Sequence, residues 1–496
     1  MYLLFELLII SFAESYRILG VFPLPSKSHD VMLSALMKGL AERNHQVDVI
    51  TQFPEKNPPP NYKVVVDLSG STEAVTNNVS MKYAKTLSGN PTFYMSTKYG
   101  NDLCHLMGLE KMQSFIKNIP SYDLVITEAF GANCYYGLGY LLNVPVVAIS
   151  CIDEPTWISE YIGGNNNPAF VPNSLLQGTF DKFKFWDRLR NTIGYVQQVH
   201  DFKRLTAVQT QLMRKYLSPD VPDVRELERT VSLLLVNRHP VIHGPKPITS
   251  AVVEVSALHI NKNNSQISLQ LQNWLDDSQD GVVYFTFGSM VLIETLPPET
   301  LNAIYKSFSK LAPMRVLMKI ADPSKLPPGL PKNILTLPWI PQLSVLDHKN
   351  VRVFITHGGL MSCQEALYFG VPIIGIPLFS DQMQNVARFE EKNMGIKINY
   401  ENINEASLDE TLRTIFTDPK YRENAKLYSK LFKDRPMEAM DTAVFWIEYV
   451  IRNGGMYLRS PAIELAWWQL ALLDVYGFLL LCGISVLTVA YYLIKF

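Results

Sequence analysis

The stretch Trp339–Gln382 reads WIPQLSVLDHKNVRVFITHGGLMSCQEALYFGVPIIGIPLFSDQ, and its hydrophobic rhythm decides the fold. Two short apolar runs, Val351–Thr356 and Val371–Leu378, have the length of buried parallel strands, and His-Gly-Gly between them opens a helical segment, Met361–Phe369. Strand, helix, strand is one βαβ unit. Glycines let backbone N–H groups approach a ligand closely, and a helix N-terminus favours an anion. Around that end stand the side chains a sugar-diphosphonucleotide needs. Trp339 can stack on a base and Gln342 can read its polar edge. His357, Gly359 and Ser362 can meet phosphate, Glu365 can grip ribose hydroxyls, and Asp381 with Gln382 can hold a sugar.

The same rhythm runs through the rest of the chain. Arg17–Phe22 reads as a strand, Pro23–His29 as a loop, Asp30–Arg43 as a helix and Val47–Thr51 as the next strand. Lys63–Leu68, Asp123–Glu128, Val144–Ser150 and Val231–Asn237 continue a first domain, residues 16–255, in which Val231–Asn237 is the last expected strand. Ser256–Ile267 is polar and marks a linker. A second domain, residues 268–450, follows with strands at Val282–Phe287, Arg315–Ile320, Ile334–Trp339, the opening unit and Gly395–Ile398. Ligands of open parallel sheets sit at the carboxyl ends of strands, where His29 and Glu128 fall. Ser69–Gly108 carries a mixed, polar signal, and the aromatic-rich Cys151–Trp186 region suggests a lid or an acceptor pocket.

At 496 residues the chain exceeds one ordinary core. A net charge of -1 offers no electrostatic footprint for nucleic acid. Leu3–Phe12 and the small residues after it read as a signal peptide, 1–15, cleaved before Tyr16 or Arg17. Val475–Ile494 is twenty residues without a charge, long enough to cross a bilayer, with Trp467 and Trp468 before it at headgroup level. These ends predict a single-pass type I protein with its body in the lumen and a two-residue cytosolic tail, Lys495-Phe496. Five cysteines show neither metal-ligand spacing nor a dense disulfide framework. Asn78-Val79-Ser80 and Asn263-Asn264-Ser265 match the glycosylation triplet.

Trp339-x-Pro-Gln342, the run 354–359 (FITHGG), Glu365-Ala366 and the run 375–382 (GIPLFSDQ) resemble the signature of the UDP-glycosyltransferase family, and HGGLMS looks most like its arthropod members. The likeness extends to the opening Pro-x-x-Ser-His element, Tyr284–Ser289, Arg435–Thr442 and the C-terminal anchor. It implies an α/β fold of GT-B type: two Rossmann-like, doubly wound domains facing a cleft, plus the membrane helix. It implies Trp339 on uracil, Gln342 on the nucleoside, Glu365 on ribose, and His357, Ser362 and Ser289 on the diphosphate. Asp381 and Gln382 would hold sugar hydroxyls, and His29, oriented by Glu128, would be the catalytic base. Four features depart from the family pattern: Met361 where many members carry Asn, Glu128 where Asp is common, Ser256-Ala257 before Leu258-His259 where members often show Gly-Gly before the linker His, and Lys495-Phe496 in place of a complete dilysine tail. With no Asp-x-Asp motif, the expected transfer is inverting, metal-independent and free of cofactors other than the co-substrate UDP-sugar. Expected partners are that donor, a small lipophilic alcohol or phenol, and membrane lipid at the endoplasmic reticulum. Glucose is favoured over glucuronate, and homo-oligomerisation is left open. The alternative of another class is a catalytically silent carrier of nucleotide-sugar or lipophile.

Overall fold

The computed structural model describes residues 15–87, 89–164, 166–175, 180–260 and 267–495. The expected leader, apart from Ser15, and the triplet at 263–265 lie outside the described residues.

Two fully parallel sheets carry the chain. The first contains β1 (Arg17–Phe22), β2 (Gln46–Thr51), β3 (Tyr62–Asp67), β4 (Leu124–Glu128), β5 (Val146–Ser150), β6 (Leu233–Val236) and β7 (Val252–Glu254) in the order β3-β2-β1-β4-β5-β6-β7. The second contains β8 (Val282–Thr286), β9 (Arg315–Lys319), β10 (Ile334–Leu337), β11 (Val351–Thr356), β12 (Ile373–Gly375) and β13 (Gly395–Lys397) in the order β10-β9-β8-β11-β12-β13. Both are doubly wound, and the strands read as continuous apolar runs because helices cover both faces. The strand order reverses between β1 and β4 and again between β8 and β11. The loops that leave those four strands part there and open a crevice.

Several elements differ from the residue pattern, each for a physical reason. Val371–Leu378 forms a ladder only over β12, because Pro372 and Pro377 lack the N–H a ladder needs. β7 adds a strand after the expected last one; three residues are too few to show a period. The helix Ala439–Asn453 belongs to the first body, although its position in the chain assigns most of it to 268–450. Its Ala443, Val444, Ile447 and Val450 enter the first core, and Arg43 and His45 engage Asp441 and Glu448 on it. An apolar stripe says that a helix packs, not against which body. The supposed linker is equally committed at its start, where Ser256, Ala257, Leu258 and His259 are all buried.

The mixed stretch after β3 acts as a strap. Val75 donates its N–H to Pro25 in the first domain (2.7 Å), and Asn77 donates to Ser289 in the second (2.9 Å). Val79 then donates to Met290 (3.1 Å) and accepts from Leu292 (3.0 Å), while Val75, Val79, Met81 and Ala84 sink into the second domain's core. Cys104 and Cys134 form a disulfide, and Cys151 and Cys363 are free and buried.

After the helix Ala439–Asn453 the chain stays on the first body. Arg459 Nη2 donates to the Thr230 carbonyl (2.7 Å), and Gly455 sits so close to Ser232 that a Cβ there would lie 2.2 Å from its Cβ. Leu473–Lys495 then projects as one exposed helix, the one among the described residues long and apolar enough to cross a membrane.

Replacing Val79 by proline removes the N–H bonded to Met290 and is expected to cost about 1–3 kcal/mol in the docking of the strap. Limited proteolysis should then cut within residues 69–90 while far-ultraviolet circular dichroism stays at the wild-type value.

Candidate active site

In the second domain, β11 ends in Thr356 and the chain turns through His357-Gly358-Gly359 into the helix Leu360–Phe369. Gly358 has φ +82°, and a Cβ on it would lie 2.4 Å from Val386. Gly288, after β8, has φ +75°, and a Cβ there would lie 2.6 Å from the His357 ring. Both positions therefore require glycine, and the two turns pin His357 between them. Burial, then the charge of Lys319, push the His357 pKa down to about 4. At neutral pH its imidazole is uncharged and can donate one N–H.

Polar contacts bind the surrounding side chains into one network. Gln342 accepts from the buried Tyr284 hydroxyl at 3.0 Å, and its amide donates to Ser362 Oγ at 3.1 Å and to Glu365 Oε2 at 2.6 Å. The other oxygen, Glu365 Oε1, pairs with His259 Nε2 at 2.8 Å. Trp339 is 50% exposed, too open for a core tryptophan, and offers a free face. Ser289 Oγ is buried and has no hydrogen-bond partner among the described residues. Gln382 spends its side-chain oxygen on the Leu378 and Phe379 N–H groups (2.8 and 3.1 Å), so only its NH2 remains for a ligand. Asp381 accepts from Asn385 at 2.7 Å and makes no side-chain cap bond.

The other half of the site comes from the first domain. His29 stands in the first turn of the helix Lys27–Ala41, after β1, and Glu128 ends the adjacent strand β4. His29 Nδ1 hydrogen-bonds Glu128 Oε1, and Phe130 meets the ring edge-on at 5.2 Å between centroids. With Nδ1 taken, Nε2 is the nitrogen left for a substrate. Burial opposes protonation of His29, but the charge and hydrogen bond of Glu128 outweigh it. Asp381, across from it on the second domain, adds to them, and the pKa is raised. Beneath His29, Cys151 Sγ donates weakly to its backbone carbonyl at 3.8 Å.

Both halves face one cavity of about 560 Å³. Of the residues singled out by sequence, His29, Ser289, Trp339, Gln342, His357, Gly359, Ser362, Glu365, Asp381 and Gln382 line it, and Glu128 stands behind His29. Its apolar wall corrects the sequence expectation. Leu87, Tyr94, Met95 and Tyr99 supply it from the stretch with the mixed signal, whereas the described part of Cys151–Trp186 contributes only Cys151 and Ile152. Met361, the residue departing from the family pattern, lines the cavity and packs on the first domain's core.

Sequence reasoning missed Lys319 and His259. Lys319 ends β9 and donates to the Gly288 carbonyl at 2.8 Å and to Asn77 of the strap; its ammonium lies 5.7 Å from the Trp339 ring centroid. Burial pushes its pKa down to about 8, with Glu294 opposing. A lysine closing a buried strand (VLMK) was the available signal. His259 matches the family's linker histidine in sequence but reads as structural there; nothing local marks its pairing with Glu365.

Residues 24–496 match the model of the family described as UDP-glucoronosyl and UDP-glucosyl transferase. The chain is 33% identical to UDP-glucosyltransferase 2 of Dactylopius coccus, over 98% of this chain and 94% of that protein. It is 29% identical to UDP-glucuronosyltransferase 2B19 of Macaca fascicularis, over 93% and 89%. Among solved structures, a UDP-glucose: anthocyanidin 3-O-glucosyltransferase in complex with UDP superposes with a TM-score of 0.58 at 19% identity, covering 89% of this chain and 99% of that one. Phytolacca americana UGT2, complexed with UDP-2fluoro-glucose and pterostilbene, gives 0.59 at 16%, covering 88% and 100%. The two-sheet architecture is thus the GT-B fold.

A histidine whose folded value is raised stabilises the protein below the ordinary value of about 6.5 and loses that contribution as pH climbs through the raised value. A 15N NMR titration of His29 is therefore expected to show a midpoint above that of a free histidine. Glu128→Gln should lower the midpoint; an unchanged midpoint would separate the two residues.

Proposed function

The chain belongs to the UDP-glucoronosyl and UDP-glucosyl transferase family, and from that premise we propose that it transfers glucose from UDP-glucose to a hydroxyl of a small lipophilic acceptor, with His29 as base. One observation carries the proposal: the His29–Glu128 pair and the polar network around Glu365 face the same cavity from opposite domains.

A neutral His29 takes the acceptor's hydroxyl proton at Nε2, and Glu128 steadies the imidazolium that forms. The acceptor oxygen attacks the anomeric carbon as the bond to the diphosphate breaks, inverting that centre. Charge gathers on the departing UDP, where Lys319, the N–H groups at the Gly359 end of the helix, the neutral His357 and Ser362 receive it, with Ser289 from its loop. Positive charge and donors come from the protein, so the step as proposed uses no resident metal or other cofactor. Trp339 stacks on uracil, Gln342 meets the nucleoside and Glu365 the ribose; Asp381 and the Gln382 NH2 hold the sugar. The apolar wall from Leu87 to Tyr99 supports a lipophilic acceptor.

UDP-glucuronate is the second donor to weigh, given the relative named for it. Among the described lining residues the cations are Lys27, paired with Asp30, and Lys319, bonded to Asn77 and Gly288. Neither is held out toward a hexuronate carboxylate, which supports glucose. We also propose that Leu473–Lys495 anchors the protein in the membrane of the endoplasmic reticulum with its body in the lumen. The Cys104–Cys134 disulfide supports an oxidising compartment.

Microsomes supplied with UDP-glucose or UDP-glucuronate and a phenol panel should release UDP faster with glucose, and His29→Ala should lower turnover about 10²–10⁴-fold with UDP affinity unchanged. Release of no UDP with any acceptor would instead favour a silent carrier. Separately, calorimetry should show UDP binding weakening as pH rises through about 8, where Lys319 loses its charge. Lys319→Ala should bind about ten-fold more weakly at neutral pH, the size of one charge-assisted bond, and Lys319→Arg should hold affinity to higher pH.

A further inference from the structure

At the cavity wall, a ring nitrogen of His29, a Glu128 carboxylate oxygen and Cys151 Sγ all lie within 4.8 Å of one another. One nitrogen, one oxygen and one sulfur converge on a single point. Glu128 is buried and spends Oε1 on His29, while its Oε2 is buried without a hydrogen-bond partner among the described residues. The thiol lies at the same wall, and both His29 and Cys151 line the cavity. The base proposed above needs Glu128 but gives the thiol no part.

We propose that His29, Glu128 and Cys151 form a binding site for a thiophilic divalent cation of the zinc class, and that the bound ion inhibits transfer by occupying the orienting side of the base. The inhibitory consequence rests on His29 being the base; the binding site does not. A tetrahedral zinc ion holds nitrogen and oxygen at about 2.0–2.2 Å and thiolate sulfur at about 2.3 Å, which sets ligand atoms about 3.3–3.6 Å apart. Reaching that spacing requires His29 and Glu128 to part slightly and the thiol to close in, movements on the scale of side-chain rotation. A water completes the tetrahedron, as in zinc sites with three protein ligands. Binding releases the thiol proton, Glu128 binds as its carboxylate, and the neutral His29 binds through Nδ1 with its one proton moved to Nε2, where it can no longer accept a proton from an acceptor. A thiolate in the set selects zinc, cobalt or cadmium over magnesium or calcium, which prefer all-oxygen shells.

The test uses the full-length protein in detergent, freed of metal by chelation. Cobalt(II) added alone is expected to give a thiolate-to-cobalt charge-transfer band saturating at one equivalent, displaced by zinc and unaffected by magnesium. Cys151→Ser should abolish the band, and zinc should inhibit that variant's own turnover at least ten-fold more weakly than it inhibits the wild type's. Zinc-edge X-ray absorption of the wild type, which needs no variant, should report one sulfur among nitrogen and oxygen neighbours. Absence of sulfur from that shell, or a band that survives Cys151→Ser and disappears with Cys363→Ser, would overturn the site. A band that depends on Cys151 while zinc leaves turnover untouched would keep the site and remove His29 as the base.

Discussion

Parallel strands all deliver the chain to the same edge of a sheet, and that constraint governs the whole molecule. Loops leaving β1 and β4 part where the first sheet reverses, and those leaving β8 and β11 part where the second does. Nothing else in the fold can bring His29 and Glu128 to one side of a cavity and His357, Gly359 and Ser289 to the other. The reactive groups come from segments hundreds of residues apart, yet each sits one or two turns from a strand end. The rest of the chain holds these two edges in register. The strap does so through backbone hydrogen bonds, and the linker through His259, which satisfies half of the carboxylate whose other half Gln342 holds.

Two histidines show how far surroundings decide chemistry. His29 and His357 are both sequestered in the same cavity wall. His29 faces two carboxylates, one from each domain, and is made easier to protonate; His357 faces an ammonium and is kept neutral. One is therefore suited to carry a proton and the other to offer an N–H without changing charge. The difference arises from their neighbours and from nothing in the imidazole itself.

Legibility in the sequence followed the range of the interactions. β11 could be read to the residue, because its apolar positions, Val351, Val353, Phe354 and Ile355, lie between turn signals. The donor-side residues were readable because they crowd into one stretch around a single helix end. The strap was not: Val75, Val79, Met81 and Ala84 follow neither a period of 2 nor one of 3.6, since their partners belong to another domain. For the same reason the aromatics after Cys151 suggest an apolar pocket, whereas Leu87, Tyr94, Met95 and Tyr99 line the cavity instead. His259 pairs with a residue 106 positions away, and no local pattern marks such a contact.

The return of the helix Ala439–Asn453 to the first body has a mechanical consequence. Force applied along Leu473–Lys495 travels through the Arg459–Thr230 bond and the Gly455–Ser232 contact into the first sheet, and bypasses the second. The body bearing His29 is thus the stator. The second body is joined to it through the strap, through His259 of the linker and through Met361, which packs on the first core.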